Sequence, residues 1–273
     1  MTGKKESDLP YSSFIGNEYG RFAQCLMFLT RFPQLPHRFH PELLSSCQHY
    51  FPIVGLILGS VLAFIYYYSF SFFGNWLGVW FILCVSVLIT GAFHEDGFAD
   101  TCDGFGGGWT IERKLEIMKD SRLGTYGTLG LIILMGFKFL ILSSYDKEYG
   151  WKALLIGSIL SRTIIIPLSY TLKYVGQSGI DKPMPNKVSK WKALVTVCIG
   201  WILVSFILGT QPFIWFTLIS IFILVIFLAH FFLKAQIKGY TGDTLGAVNQ
   251  VMEVLVYFSF FIYTYMESSG YLS

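Results

Sequence analysis

The stretch from His94 to Gly127, HEDGFADTCDGFGGGWTIERKLEIMKDSRLGTYG, carries seven of the chain's 17 Asp and Glu residues. It follows a run from Leu43 to Phe93 that contains no Asp, Glu, Lys or Arg. Carboxylates, glycines and bases therefore crowd together where a long apolar segment ends. That boundary decides how the rest of the chain is read.

The apolar side of the boundary is typical of the whole. Of 273 residues, 53% are apolar and 14% charged, against about 25% charged in a soluble domain, so the chain reads as a membrane protein. The 26 Phe, 16 Tyr and 7 Trp suit lipid-facing surfaces and interfacial belts. A net charge of +3, with bases spread among loops, excludes nucleic acid as a partner and leaves the lipid bilayer as the expected surroundings. The five cysteines stand apart without zinc-type spacing, and they read as small apolar side chains. MTGKKESDLP is not followed by an apolar core and cleavage site, so no removable signal peptide is expected.

Counting about 20 apolar residues per membrane crossing predicts helices near 51–73, 76–93, 123–145, 151–170, 192–209, 212–233 and 245–266. The expected fold is an all-α, polytopic membrane bundle of about seven helices, forming one membrane-embedded domain over 1–273 with 1–13 loose. Phe14 to Phe32, with Glu18, Arg21 and Arg31 among apolar residues, predicts either an interfacial amphipathic helix or one packed on the spans. Pro33, Pro36 and Pro41 break the connection that follows. Outside the spans, sixteen Lys and Arg fall on the side of the N-terminus and two on the other. This asymmetry predicts a cytoplasmic N-terminus and a cytoplasmic 94–122 segment. No internal repeat stands out, so an inverted-repeat transporter is not supported.

Within that segment Asp96, Asp100 and Asp103 occupy positions i, i+4 and i+7. If the second span continues as a helix, they share roughly a 60° arc. Stacked carboxylates near a helix end repel one another and call for a positive partner. A hard divalent ion such as Mg²⁺ supplies it, commonly joining one or two carboxylates to substrate phosphate oxygens. A solvated acidic helix end is the simpler alternative. Gly97 and Gly104 permit close approach, and Gly104, Gly106, Gly107 and Gly108 end the helix.

From Thr110 a second, surface-lying helix is expected, with Ile111, Leu115 and Met118 on a membrane-facing stripe. Lys119, Arg122 and Arg113 are candidate phosphate ligands, with lipid headgroups as the alternative for Arg113. Gly124, Gly127 and Gly130 predict close helix packing. His94 falls nearly opposite Asp96 on an ideal helix and suits proton transfer or a substrate hydrogen bond. Arg162 and Glu253 lie inside spans, where a structural ion pair is the simplest reading. Asp243 is either a helix cap or a member of the site. Asp181 and the Pro183–Pro185 segment are left outside it.

These residues resemble the cobalamin synthase family, the adenosylcobinamide-GDP ribazoletransferases. The resemblance rests on H-x-D-G-x-A-D-x-x-D-G at His94–Gly104 and on the run from Arg113 to Gly127. Phe28–Pro33, Phe51–Gly55, Ser161–Arg162 and Thr241–Ala247 extend it over roughly residues 20 to 255. Glu95, Phe98 and Cys102 depart from the family pattern and leave the three aspartates intact.

The resemblance implies a Mg²⁺-dependent transfer joining adenosylcobinamide-GDP to α-ribazole or its 5′-phosphate, with GMP leaving and adenosylcobalamin or its phosphate forming. It implies a bacterial or archaeal cell (inner) membrane protein, with a homo-oligomer left open. In such a reaction Asp96, Asp100 and Asp103 would bind the metal, and Lys119, Arg122, Arg113 and Asp243 would contact substrate. Asp103, His94 and Asp120 are the candidate proton acceptors. The alternatives are a CDP-alcohol-type membrane phosphotransferase, whose longer aspartate pattern is not reproduced, and a cation-coupled transporter, whose carboxylates belong inside spans.

Overall fold

The computed structural model describes residues 14–33, 46–176 and 189–270. Residues 1–13, Pro36, Pro41, Asp181 and Pro183–Pro185, on which expectations were placed, lie outside the described residues. Among the described residues there are ten α-helices and no strand beyond an isolated bridge between Tyr174 and Tyr240.

Helix α1 (Phe14–Leu29) buries Ala23, Cys25 and Leu29, so it packs on the bundle. A 3₁₀ turn (Cys47–Tyr50) leads into α2 (Phe51–Thr90), whose first turn holds Pro52, where a missing N–H costs nothing. Forty residues of straight helix would measure about 60 Å, twice the hydrocarbon thickness of a bilayer. Instead α2 folds back at Gly74 (φ 72°, ψ 179°), a conformation that glycine adopts readily. Its two arms touch closely enough that a Cβ on Gly78 would lie 3.2 Å from the backbone of Ser69 and Phe70. Both ends of α2 consequently reach the α1 region. Tyr50 Oη donates to Glu18 at 2.8 Å, and Arg31 N–H donates to Ile89 O at 2.6 Å. The two arms correspond to the expected helices 51–73 and 76–93.

The second arm does not run on into the aspartates, as the sequence reading supposed. Gly91 (φ 64°) and Ala92 (φ 57°) are both left-handed. Gly91 N–H donates to Leu88 O and Ala92 N–H to Val87 O at 2.9 Å, a Schellman-type stop that satisfies the last carbonyls. Helix α3 (Phe93–Gly107) then starts afresh in a new direction. The short α4 (Ile111–Ile117) is capped by the Thr110 hydroxyl, which accepts the Arg113 N–H at 3.2 Å. Its expected lipid-facing stripe is corrected in part, because Met118 is buried against Gly104 of α3.

The remaining helices are α5 (Thr125–Leu142), α6 (Lys147–Thr163), α7 (Ile165–Thr171), α8 (Lys190–Leu208), α9 (Pro212–Ile237) and α10 (Gly242–Ser268). Among the described residues, six helical stretches are long and apolar enough to cross a membrane, the folded-back α2 counting as one and α6 with α7 as another. α6 is enclosed on nearly all sides, packed along α2 and α10. Large side chains such as Phe72, Trp76, Phe206 and Phe216 are exposed on α2, α8 and α9, as lipid-facing surfaces require. α3 is clasped between α10 and α5, which sets the position of the candidate site.

Candidate active site

Helix α3 is a single continuous helix over all three aspartates, so their shared face holds. What surrounds that face differs from one aspartate to the next. Asp96 is exposed, Asp100 is half-buried and Asp103 is buried. Asp103 Oδ2 accepts the Gly124 N–H at 2.7 Å, and Oδ1 accepts the Gly127 N–H at 2.8 Å. These donors belong to the first turn of α5, which has no intrahelical acceptors for them and favours a negative charge there. Asp103 therefore anchors α5, a task that the sequence reading did not assign to it. All three expected metal ligands stay on one helix face. Asp96 and Asp100 lie one turn apart on the same face, Asp96 exposed and Asp100 half-buried.

Glycines let the neighbouring helices come close. A Cβ on Gly97 would lie 3.0 Å from Asp243 Cα and 2.9 Å from its carbonyl oxygen. One on Gly246 would lie 3.4 Å from His94 O. A Cβ on Gly127 would lie 2.9 Å from Ala99 O. The backbone of α10 thus touches α3 beside Asp96 and Asp100 and brings Asp243 into their neighbourhood. Asp243 is not the cap of α10. Thr241 is, its hydroxyl accepting the Thr244 N–H at 3.2 Å while Thr244 Oγ1 accepts the Thr241 N–H at 2.9 Å.

Among the described residues, no three His, Cys, Asp or Glu side chains form a ready-made metal cage. The donor set still fits Mg²⁺, which is commonly held by one or two carboxylates together with substrate phosphate oxygens and water. Asp96 and Asp100 offer two such carboxylates, one turn apart on α3.

The basic residues lie at the surface. Arg113 Nη1 pairs with Glu116 at 2.7 Å, and Lys119 is exposed. Arg122 grips Asp120 with two arms, Nε to Oδ1 at 3.0 Å and Nη2 to Oδ2 at 2.6 Å. Those hydrogen bonds hold the Asp120 carboxyl down at about 2, which makes it a weak proton acceptor. Lys114 reaches across to α9, its Nζ donating to Gln236 Oε1 at 2.5 Å.

His94 does not join the aspartate face. It is buried, and among the described residues neither ring nitrogen has a hydrogen-bond partner. Burial, reinforced by the Arg162 charge, pushes its pKa down to about 3, so the ring is neutral. The three expected proton acceptors are thus dispersed: His94 inside the bundle, Asp120 on the surface with Arg122, and Asp103 bonded to α5.

Behind α3 lies a buried ionic cluster that the sequence disclosed only in part. Arg162 Nη1 and Glu253 Oε2 stand 3.9 Å apart, in line with the expected structural pair. The closer partner is Lys138, whose Nζ lies 3.2 Å from Glu253 Oε1 and 2.6 Å from Gln250 Oε1. Tyr257 Oη donates to Glu253 at 2.7 Å, and Gln250 Nε2 donates to Glu95 Oε1 at 3.3 Å. The cluster ties α3, α5, α6 and α10 together. Lys138, Gln250 and Glu95 were missed, although a lone lysine inside an apolar span was signal enough for the first.

The chain is similar to known proteins over most of its length. A profile of the family described as cobalamin-5-phosphate synthase matches residues 21–261. The adenosylcobinamide-GDP ribazoletransferase of Shewanella frigidimarina (strain NCIMB 400) is 37% identical over 243 residues, covering 86% of this chain and 92% of the relative. That of Shewanella piezotolerans (strain WP3 / JCM 13877) is 38% identical over 248 residues, with coverage of 86% and 92%. That of Leptospira interrogans serogroup Icterohaemorrhagiae serovar copenhageni (strain Fiocruz L1-130) is 36% identical over 249 residues, with coverage of 88% and 94%. No solved structure matches the chain. With the family pattern intact around a helix that presents its aspartates as described, the chain belongs to the cobalamin-5-phosphate synthase family.

Proposed function

We propose that this protein is an adenosylcobinamide-GDP ribazoletransferase that joins adenosylcobinamide-GDP to α-ribazole or its 5′-phosphate and releases GMP. The observation that carries this reading is the α3 face, where Asp96 and Asp100 stand one turn apart while Asp103 fixes the same helix to α5. Asp96 and Asp100 would hold Mg²⁺. When bound, the ion supplies neutralisation of the pyrophosphate and of the departing GMP.

The chain's own residues do the rest. The α3–α10 contact at Gly97 holds the carboxylates and Asp243 in one neighbourhood. Exposed Lys119 is available to phosphate oxygens, and Arg122 becomes so if it releases Asp120. In the transfer, the α-ribazole hydroxyl oxygen bonds to the corrinoid-side phosphorus. The bond from that phosphorus to the bridging oxygen breaks, and GMP leaves with the electron pair. The hydroxyl proton passes to a carboxylate or to water.

The excess of Lys and Arg on one side supports a cytoplasmic N-terminus, a cytoplasmic-facing site and seven crossings, with the two arms of α2 each making one. Membranes supplied with Mg²⁺, adenosylcobinamide-GDP and α-ribazole should yield a cobalamin product and GMP in equal amounts. Wild-type product formation by both Asp96→Asn and Asp100→Asn would refute the site. Uptake of a corrinoid into sealed vesicles without GMP release would refute the reaction.

A further inference from the structure

On the side of α3 turned away from its aspartates, α3, α9 and α10 enclose a groove of about 680 Å³. α3 contributes Phe98, Thr101 and Phe105, which stand roughly 100–180° around the helix from the acidic face. The other two walls are apolar side chains of α9 and α10. Thr101 and Thr244 bring the lining's only hydroxyls, and both are committed. Thr101 Oγ1 donates to Gly97 O at 2.7 Å, and Thr244 Oγ1 donates to Thr241 O at 3.0 Å. The lining therefore offers no free hydrogen-bonding side chain, and a sugar, a phosphate or water gains nothing by entering.

Two further features identify the occupant. Along α9 the groove runs from Ile221 to Leu233, about 18 Å at the helical rise. That is close to half the thickness of about 30 Å of a bilayer's hydrocarbon core. Leu224, Leu228 and Phe232 are each about half exposed, so the groove opens sideways onto the lipid-facing belt of α9. At its end beside Phe105 and Leu233, Lys114 of α4 sits on Gln236, and exposed Lys238 closes α9, while Lys234 lies on the opposite face with His230, which bonds Thr171. The nearest acids on α4 are Glu112 and Glu116, and Glu116 is held by Arg113.

We propose that this groove is a binding site for one acyl chain of an anionic phospholipid, with its headgroup phosphate held by Lys238 and Lys114. The lipid then forms the rear wall of the aspartate-bearing helix and belongs to the folded enzyme.

The test is native mass spectrometry, with spin-labelled lipid in parallel, on the full chain in bilayers of phosphatidylglycerol or phosphatidylcholine. The wild type should retain one more phosphatidylglycerol than Ala229→Trp, which fills the groove, and should show a matching immobilised lipid fraction. Lys238→Gln should lower the preference for phosphatidylglycerol over phosphatidylcholine by about fivefold while the chain is still retained, and Lys234→Gln, on the opposite face of α9, should leave it unchanged. The melting temperature of the unmodified protein should be higher in phosphatidylglycerol than in phosphatidylcholine, a readout independent of whether the tryptophan variant folds.

Equal lipid retention by wild type and Ala229→Trp, or equal melting in the two lipids, overturns the proposal. So does a lipid-free wild-type dimer that Ala229→Trp dissociates, which assigns the groove to a second copy. Displacement of the immobilised lipid by a free benzimidazole at substrate-like concentration assigns it to the substrate.

Discussion

Replacing Asp103 by asparagine separates two roles that the sequence had merged. Its carboxylate is only 8% exposed and accepts two backbone N–H groups of α5. Hydrogen bonds to a charged group contribute about 1.5–3 kcal/mol each. An asparagine keeps one acceptor and turns an NH₂ toward the other donor, leaving a buried N–H unpaired. The expected loss is about 2–4 kcal/mol, or roughly 5–10 °C in melting temperature for a chain of this size.

Asp96→Asn and Asp100→Asn remove exposed and half-buried carboxylates, and each should melt within about 1 kcal/mol of the wild type. Thermal melting with and without Mg²⁺ distinguishes the roles, since an ion that binds only the folded state raises its stability. Asp103→Asn should melt early yet keep the Mg²⁺-dependent rise. Asp96→Asn should melt normally and lose the rise together with turnover. If Asp103→Asn melts like the wild type and loses the rise, the anchoring argument is refuted and Asp103 is a metal ligand.

Glu253→Leu leaves Lys138 and Arg162 with Glu95 as their remaining nearby counter-charge, and unfolding in detergent should show a loss of about 3–5 kcal/mol. Lys138→Met in that background should restore part of it, with a coupling above about 1 kcal/mol. Gly97→Ala places a methyl 3.0 Å from Asp243 Cα, which should cost about 1–3 kcal/mol and lower turnover further than the melting temperature alone explains. The Asp120 carboxyl should titrate near 2 by carbon NMR and move up toward its ordinary value of 3.8 in Arg122→Gln. Its depressed pKa favours the folded state at neutral pH, and that contribution fades as pH falls from about 4 toward 2.

The aspartate face was legible because Asp96, Asp100 and Asp103 follow the helical repeat, and repeat is what a sequence displays directly. The reversal in α2 was legible too, since an apolar run of twice the bilayer length has to turn, and Gly74 lies at its middle. The stop at Gly91–Ala92 was not, because one glycine within an apolar run interrupts no periodicity. Only the left-handed pair and its two backward hydrogen bonds reveal it.

Asp103's partners are backbone N–H groups, which carry no residue signature. The nearby glycines disclosed close packing without disclosing what packs there. Lys138, Gln250, Glu253 and Glu95 meet across three helices, and no local spacing encodes such a meeting.

The near-contact of Gly97 with the α10 backbone has a mechanical consequence. α3 is held there by α10, on another side by the bonds from Asp103 to α5, and from behind by Gln250 on Glu95. A helix fixed along three lines cannot roll about its axis, so its acidic face keeps one bearing whether or not substrate is present. Accommodation of a bulky corrinoid then falls to the largely exposed stretch from Trp109 to Leu123, whose outward ties are Lys114 on Gln236 and Met118 against Gly104. The site divides into a stiff floor that places charge and a compliant cover that admits cargo, and selection for a different corrinoid should alter the cover first.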